Sequence, residues 1–276
     1  MEPYPLLMTE ARPRPSATSE FRRVAQLLRD GIGDGTYPRG ERLPAATVLA
    51  DDLGTNRGTV ERAVRTVAAE GLLTTRKGSG AFVSRILERI TRRSGALLDK
   101  QSGEADGTRE AVDAELRAMG LVARRFPSVR TERPPQDVAL LLGPKQSAKK
   151  VLASETRVYA AAAEAPPADP GTPVELICTY LPLDVAGGTA LEHHDPGPMG
   201  VRGRLAELGH RPSEFVETVL VRAPSDEEAE FLGIDVDNRV IHLTQTAWAG
   251  GRVVAVTVTV LPASLWSLSY QWTAGA

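Results

Sequence analysis

The segment from Ala45 to Ala69 constrains this chain most. A short apolar stripe of Leu49, Ala50 and Leu53 runs into Gly54-Thr55-Asn56, and Val60, Val64, Val67 and Ala68 then recur at spacings of three and four. This spacing predicts two helices, the first following Pro44 and the second capped by Asn56. Two helices joined by a tight glycine-containing turn make a helix-turn-helix. Upstream, Phe21, Val24, Ala25, Leu28 and Ile32 predict another amphipathic helix, with Thr18 or Ser19 as its cap and Gly33 and Gly35 ending it. Downstream, the β-prone stretches Leu72 to Thr75 and Ala81 to Ser84 flank Arg76-Lys77-Gly78-Ser79-Gly80, which reads as a hairpin with a basic, glycine-rich tip. The expectation for the N-terminal part is a winged helix-turn-helix.

The net charge of -2 over 276 residues conceals a division. Residues 1–93 hold 16 basic and 11 acidic side chains, a balance of +5, and residues 94–276 hold 17 and 24, a balance of -7. Parts of opposite sign suit different partners, and the basic part is the one with the helix-turn-helix. The single cysteine, Cys178, cannot form an internal disulfide, and there is no CxxC or Cys/His array to hold zinc. The apolar run Val253 to Ala263 is far short of the roughly 20 residues a membrane helix needs. A soluble, cytoplasmic and nucleoid-associated protein is expected, without a signal peptide.

Proline and charge alternate without an apolar period over residues 1–17, which are expected to form a disordered tail. The winged helix is placed at 18–86, a polar, small-residue linker at 87–107, and a second domain at 108–272. That domain opens with a helix from about Arg109, carrying Val112, Leu116 and Met119. Strands are predicted near 150–159, 174–181, 214–222, 239–248 and 252–260, and helices near 135–142, 201–208 and 225–232. The short Ala249-Gly250-Gly251 link between two strands implies an antiparallel hairpin. The fold class is therefore α+β, with a mostly antiparallel sheet in the second domain.

The outward face of the third helix is the main functional signal. A helix inserted in the major groove reads base edges with side chains near its N-terminus, and arginine suits bidentate pairing to guanine O6 and N7. Arg57 is placed for that, and Thr59 for a phosphate or a thymine methyl. Arg62 and Arg65 are expected to point the same way. A solvated helix face would show the same charges; the preceding turn and the basic wing favour DNA. At the wing, Gly78 and Gly80 supply the turn and leave a tip without bulk, so that Arg76, Lys77 and backbone amides can approach a groove or phosphate.

The residues from Phe21-Arg22-Arg23-Val24-Ala25 through Gly40-Glu41-Arg42-Leu43-Pro44, Asn56-Arg57-Gly58-Thr59-Val60 and Gly78-Ser79-Gly80-Ala81-Phe82-Val83 resemble the N-terminal domain of GntR-type transcription regulators. The second domain is similar to the UTRA effector domain of the HutC-like branch. Pro173, Tyr180-Leu181-Pro182, Leu205-Ala206-Glu207-Leu208-Gly209 and Arg222-Ala223-Pro224-Ser225 carry that likeness. The resemblance implies a chorismate-lyase-like fold without an enzyme's role, in a homodimeric repressor that leaves a palindromic double-stranded DNA operator when a small-molecule effector binds. It also implies that Arg57, Thr59 and Gly78 touch DNA. Ala45 and Thr47 stand where the family usually has serine and arginine; Thr47 lies among the DNA-facing positions but cannot make a bidentate contact.

For the effector, Ile177 replaces an expected glutamate, and Gln245 stands where an arginine is common. Arg157, Glu217, Arg222 and His242 remain as polar groups on strands, and Gly200 opens a helix whose amides can hold an anion. Surface ion pairs would explain the strand residues equally well. The two lost charges point to a ligand less ionic than a sugar phosphate. No cofactor or metal is implied: His193-His194-Asp195 sits in a Gly/Pro-rich stretch that reads as a loop. Gly31-Ile32-Gly33-Asp34-Gly35 follows a helix instead of a strand, and no G-x-S-x-G elbow occurs. Two alternatives remain: a regulator that senses oxidants through Cys178, and an enzyme built on the second domain.

Overall fold

The computed structural model of the chain describes residues 17–76, 78–93, 107–143, 149–193 and 200–270. Its contacts divide it into two units whose main boundary falls between Ser84 and Arg85. The expected disordered tail lies, apart from Ala17, outside the described residues.

The N-terminal part of the chain holds α1 (Ala17–Gly33), α2 (Ala46–Asp52), α3 (Arg57–Ala69), β1 (Leu73–Arg76), whose last three residues group with the second unit, and β2 (Gly80–Val83). Val24, Ala25, Leu28 and Ile32 of α1 are buried together with Leu49 and Ala50 of α2 and Val60, Ala63, Val67 and Ala68 of α3. This three-helix core arises because the 3.6-residue period puts those side chains on one face of each helix. Thr18 and Ser19 lie within α1 and do not cap it, since the helix extends at least to Ala17. Asn56 does cap α3: its Oδ1 accepts from the Thr59 amide at 2.9 Å. Gly54 takes φ +64° in the connecting turn, where a side chain would be strained. The Arg23 guanidinium donates to the Leu53 carbonyl at 2.9 Å, satisfying a backbone oxygen at the end of α2. The start of α2 has no such help: Ala45 occupies the N-cap without a side-chain hydrogen bond, a loss of about 1 kcal/mol relative to serine.

The second unit opens earlier than the sequence predicts. Ile90–Arg93, within the expected linker of 87–107, forms β3, which pairs in parallel with β10 (Trp266–Ser269). Ile86 and Ile90 are buried beside Trp266, whose Nε1 donates to the Val174 carbonyl at 2.7 Å. Two apolar side chains hidden among charged neighbours had offered too short a pattern to read as a strand. The residues between β3 and α4 (Gly107–Ala118) lie outside the described ones.

Next come β4 (Leu121–Glu132), α5 (Gln136–Leu142), β5 (Val151–Ala162), β6 (Thr172–Pro182), α6 (Leu183–Ala186), α7 (Gly200–Glu207), β7 (Glu214–Arg222), α8 (Asp226–Leu232), β8 (Val240–Ala249) and β9 (Arg252–Pro262). Six strands form one antiparallel sheet in the order β4-β5-β6-β9-β8-β7. No alternating pattern marks β4, which carries Pro127 and two adjacent arginines. Its place at the sheet edge removes the objection, because a proline there breaks no ladder hydrogen bond on its outer side. One face of the sheet buries Ala153, Tyr180 and Val256 against Val138 and Leu142 of α5. The opposite face meets Val112 and Leu116 of α4, Leu205 of α7 and Trp266. Between that second face, α4 and α7 a cavity remains.

Candidate nucleic-acid interface and ligand cavity

At the N-terminus of α3, Arg57 occupies the first helical position, with its side chain 69% exposed. Its Nε lies 2.7 Å from Glu61, an exposed pair worth only a few tenths of a kcal/mol and so readily exchanged for another acceptor. Thr59 spends its amide on the Asn56 cap, and its side chain is half-buried in the first turn. At 100° per residue Arg65 lies about 80° from Arg57 around the helix and is exposed, whereas Arg62 lies about 140° away. Arg62 stacks over the Phe21 ring at 4.0 Å and holds α3 to α1, which corrects the expectation that it points with Arg57. Thr47 is exposed in the first turn of α2.

The wing tip carries Gly78 at φ +76° and Gly80 at φ +94°. Lys77 and the side chain of Arg76 lie outside the described residues. Gly80 has a second reason to be glycine: a Cβ there would meet Arg42 Nε at 3.1 Å. Arg42 pairs with Phe82 by a β-bridge and is exposed, so the wing carries an arginine that the sequence reading did not single out. Only the pairing, which joins residues 40 apart, reveals it.

In the second unit the cavity has a volume of about 400 Å³. Strand register builds its floor. Ser154 of β5 faces Thr179 of β6, Thr179 faces Thr257 of β9, Thr257 faces Gln245 of β8, and Gln245 faces Glu217 of β7. All five line the cavity, because side chains in register on neighbouring strands share a face. Gly200, at φ +61°, lines it from the start of α7, and Ile177 from the next row of the floor.

The same alternation removes three expected site residues. Arg157 is next to Thr156 and so lies on the far face, where it pairs with Glu155 at 3.0 Å and lies over the Phe231 ring. Arg222 grips Glu228 through two hydrogen bonds of 2.7 Å and tightens the capping box of α8. His242, next to the cavity residue Leu243 in sequence, also faces away; burial, followed by the nearby Arg222 charge, holds its pKa below the usual value. None of the three lines the cavity.

In their place stand residues that no sequence pattern marks. Arg92 of β3 reaches Glu217 with hydrogen bonds of 3.1 and 2.8 Å, and both side chains are nearly buried, at 7% and 11% exposure. Tyr270 donates its hydroxyl to the same carboxylate at 3.1 Å. Arg125 of β4 meets Asp113 of α4 at 2.6 Å, and the buried Glu175 adds a further carboxylate to the wall. Arg92 and Arg125 both lie on segments without a readable period, which is why they were missed.

Comparison with known proteins decides the family. The model of the UTRA domain matches residues 123–265, just over half of the chain, and that of bacterial regulatory proteins of the gntR family matches residues 21–83. The chain belongs to the GntR-type regulators with a UTRA domain. It is a transcription regulator and not an enzyme, which disposes of the enzymatic alternative. An uncharacterized HTH-type transcriptional regulator of Streptomyces coelicolor is 27% identical over 261 residues, 92% of either chain. The histidine utilization repressor of Pseudomonas putida is 38% identical over 64 residues, which are 23% of this chain and 26% of that one. Among solved structures, a putative GntR-family transcriptional regulator superposes with a TM-score of 0.54 at 24% identity, covering 93% of this chain and 98% of that one. PhnF from Mycobacterium smegmatis gives 0.50 at 21%, covering 91% and 100%. Both likenesses speak for the fold alone.

In this UTRA domain Cys178 is half-buried on the face away from the cavity, and burial pushes its thiol up to about 11. A thiol raised in this way is the opposite of a redox sensor's, whose pKa is lowered. Among the described residues no three His, Cys, Asp or Glu side chains are grouped to hold a metal ion; His194 and Asp195 lie outside them. No helix among the described residues is long and apolar enough to cross a membrane.

Proposed function

We propose that the protein is a repressor that holds a palindromic operator as a homodimer and releases it when a small molecule fills the UTRA cavity. The observation that carries this reading is the joint presence, in one chain, of an N-capped helix presenting an exposed arginine and a separate unit with a polar-floored cavity. In this reading residues 18–84 form the DNA-reading head and residues from Arg85 the effector domain. Arg57 pairs with a guanine in each half-site, while Thr59, Arg65 and the wing residues Arg76, Lys77, Gly78 and Gly80 position the head on the backbone. With threonine at position 47 the start of α2 adds a phosphate contact at most.

The second copy is argued from β7. This strand lies at the edge of the sheet and exposes Val216, Val219, Leu220 and Val221 between 43% and 58%. An edge of unpaired backbone flanked by apolar side chains is a template for another strand, and a twofold axis lets the same strand of a second copy supply it. Replacing Val216 and Leu220, which face away from the cavity, with lysine is expected to give a monomer by light scattering with a cooperative melt retained. A dimer that persists would place the interface elsewhere.

The function is tested by titrating the full chain against DNA fragments selected from genomic sequence. Binding is expected to weaken with salt, by about a hundredfold between 50 and 200 mM for four phosphate contacts. A flat salt dependence, or DNA binding that no metabolite pool alters, contradicts the reading.

A further inference from the structure

We propose that the ligand of the UTRA cavity is an uncharged molecule presenting hydroxyl or carboxamide groups along one edge, and that phosphorylated and carboxylate compounds do not bind there. The inference rests on the cavity being the effector site. It follows from two features of the walls, the first of which is the floor. Ser154, Thr179, Thr257 and Gln245 sit side by side on four adjacent strands, a polar row about 14 Å long at the usual strand spacing. Hydroxyl and amide groups each donate and accept, so the row matches ligand groups of the same kind without selecting a charge. In the next row Thr156 and Thr259 alternate with Ile177 and Leu243, which gives the ligand an apolar surface beside its polar edge.

The second feature is that the charges are already spent. The described residues that line the cavity include four arginines, Arg92, Arg109, Arg125 and Arg202, against the four carboxylates Glu110, Asp113, Glu175 and Glu217. Arg92 is tied to Glu217 and Arg125 to Asp113, while Arg202 lies over the Phe215 ring at 4.2 Å. Arg109 and Glu110 are neighbours of opposite sign on the first turn of α4, exposed at the rim. An anionic ligand that binds at Arg92 or Arg125, the two arginines paired inside the cavity, takes that arginine from its carboxylate and leaves a nearly buried acid without its ion-pair partner. An uncharged ligand leaves both pairs intact and is paid only by hydrogen bonds and apolar contact.

The test uses the full-length protein and matched pairs of compounds: monosaccharides and nucleosides with their phosphate esters, and primary amides with their carboxylic acids. Each is screened by thermal shift at 50 and 500 mM NaCl, and binders are titrated calorimetrically. Stabilisation is expected from uncharged members, with a Kd that changes less than twofold across that salt range. The variant Thr179→Val/Thr257→Val is expected to weaken the binder at least tenfold, with Gln245→Leu as an independent change should the first fail to fold. Stabilisation by a phosphate or carboxylate member in place of its uncharged partner, or undiminished affinity in both variants, overturns the proposal. If that charged compound also releases DNA, the effector reading stands and only the ligand class falls. If no member of either set binds or releases DNA, both fall.

Discussion

Replacing Arg57 with alanine is expected to lower specific operator affinity by about 30-fold to 10⁴-fold while the dimer persists. A bidentate arginine–guanine pair supplies about 1–3 kcal/mol of discrimination, and a palindromic operator engages two of them, about 2–6 kcal/mol in all. The helix itself should be unharmed. Its cap is the Asn56 side chain, its buried face is Val60, Ala63 and Val67, and among the described residues the tie lost is the exposed pair with Glu61. Folding and oligomeric state are therefore controls that should not move. An unchanged Kd in an anisotropy titration would remove Arg57 from the interface, and a loss equal on specific and random DNA would make it a phosphate contact.

Arg92→Ala is expected to destabilise the second unit by about 3–5 kcal/mol, because Glu217 would remain nearly buried after losing the guanidinium that grips both its oxygens. That is a large share of the 5–15 kcal/mol by which domains are ordinarily stable, and for a unit of this size it lowers the melting temperature by about 10 °C. The double change Arg92→Met/Glu217→Met should cost less than the single one, since it leaves no buried charge behind. Calorimetry of the two variants decides. If the single variant melts like the parent protein, water reaches Glu217 and the pair is not the wall that the geometry describes.

Helix-turn-helix, wing and sheet were legible because each rests on a local period. Leu49 to Ala68 encode two helices and a turn within twenty residues, and the strands from Thr172 to Pro182 and from Val240 to Pro262 are long enough to show their apolar side. Where the pattern was short or contradicted, reading failed. Ile90 was hidden among arginines, and Pro127 argued against a strand that exists because it lies at an edge. The expected cap at Thr18 or Ser19 failed for a related reason, since a serine or threonine near a helix start is compatible with a helix that began earlier.

The cavity shows the limit most clearly. Arg157, Arg222 and His242 are polar residues on strands, and polarity says nothing about which face of the sheet closes over a space. A shift of one residue moves a side chain from one face to the other. Glu217 and Gln245 lie on the cavity side and the other three on the far side, although all five are alike as polar residues on strands.

The sequence by itself determined the parts: a basic head with a capped recognition helix, and an acidic domain around an antiparallel sheet. These are written in periods of two and 3.6 residues and in the balance of charges along the chain, which require no knowledge of distant neighbours. Only the tertiary structure decided that Arg92 meets Glu217 125 residues later, that Ser154, Thr179, Thr257 and Gln245 form one row, and that the described residues lining the space beneath α4 and α7 include as many arginines as carboxylates. Such pairings depend on strand order and register, which arise from the packing of the whole unit, and no local pattern contains them.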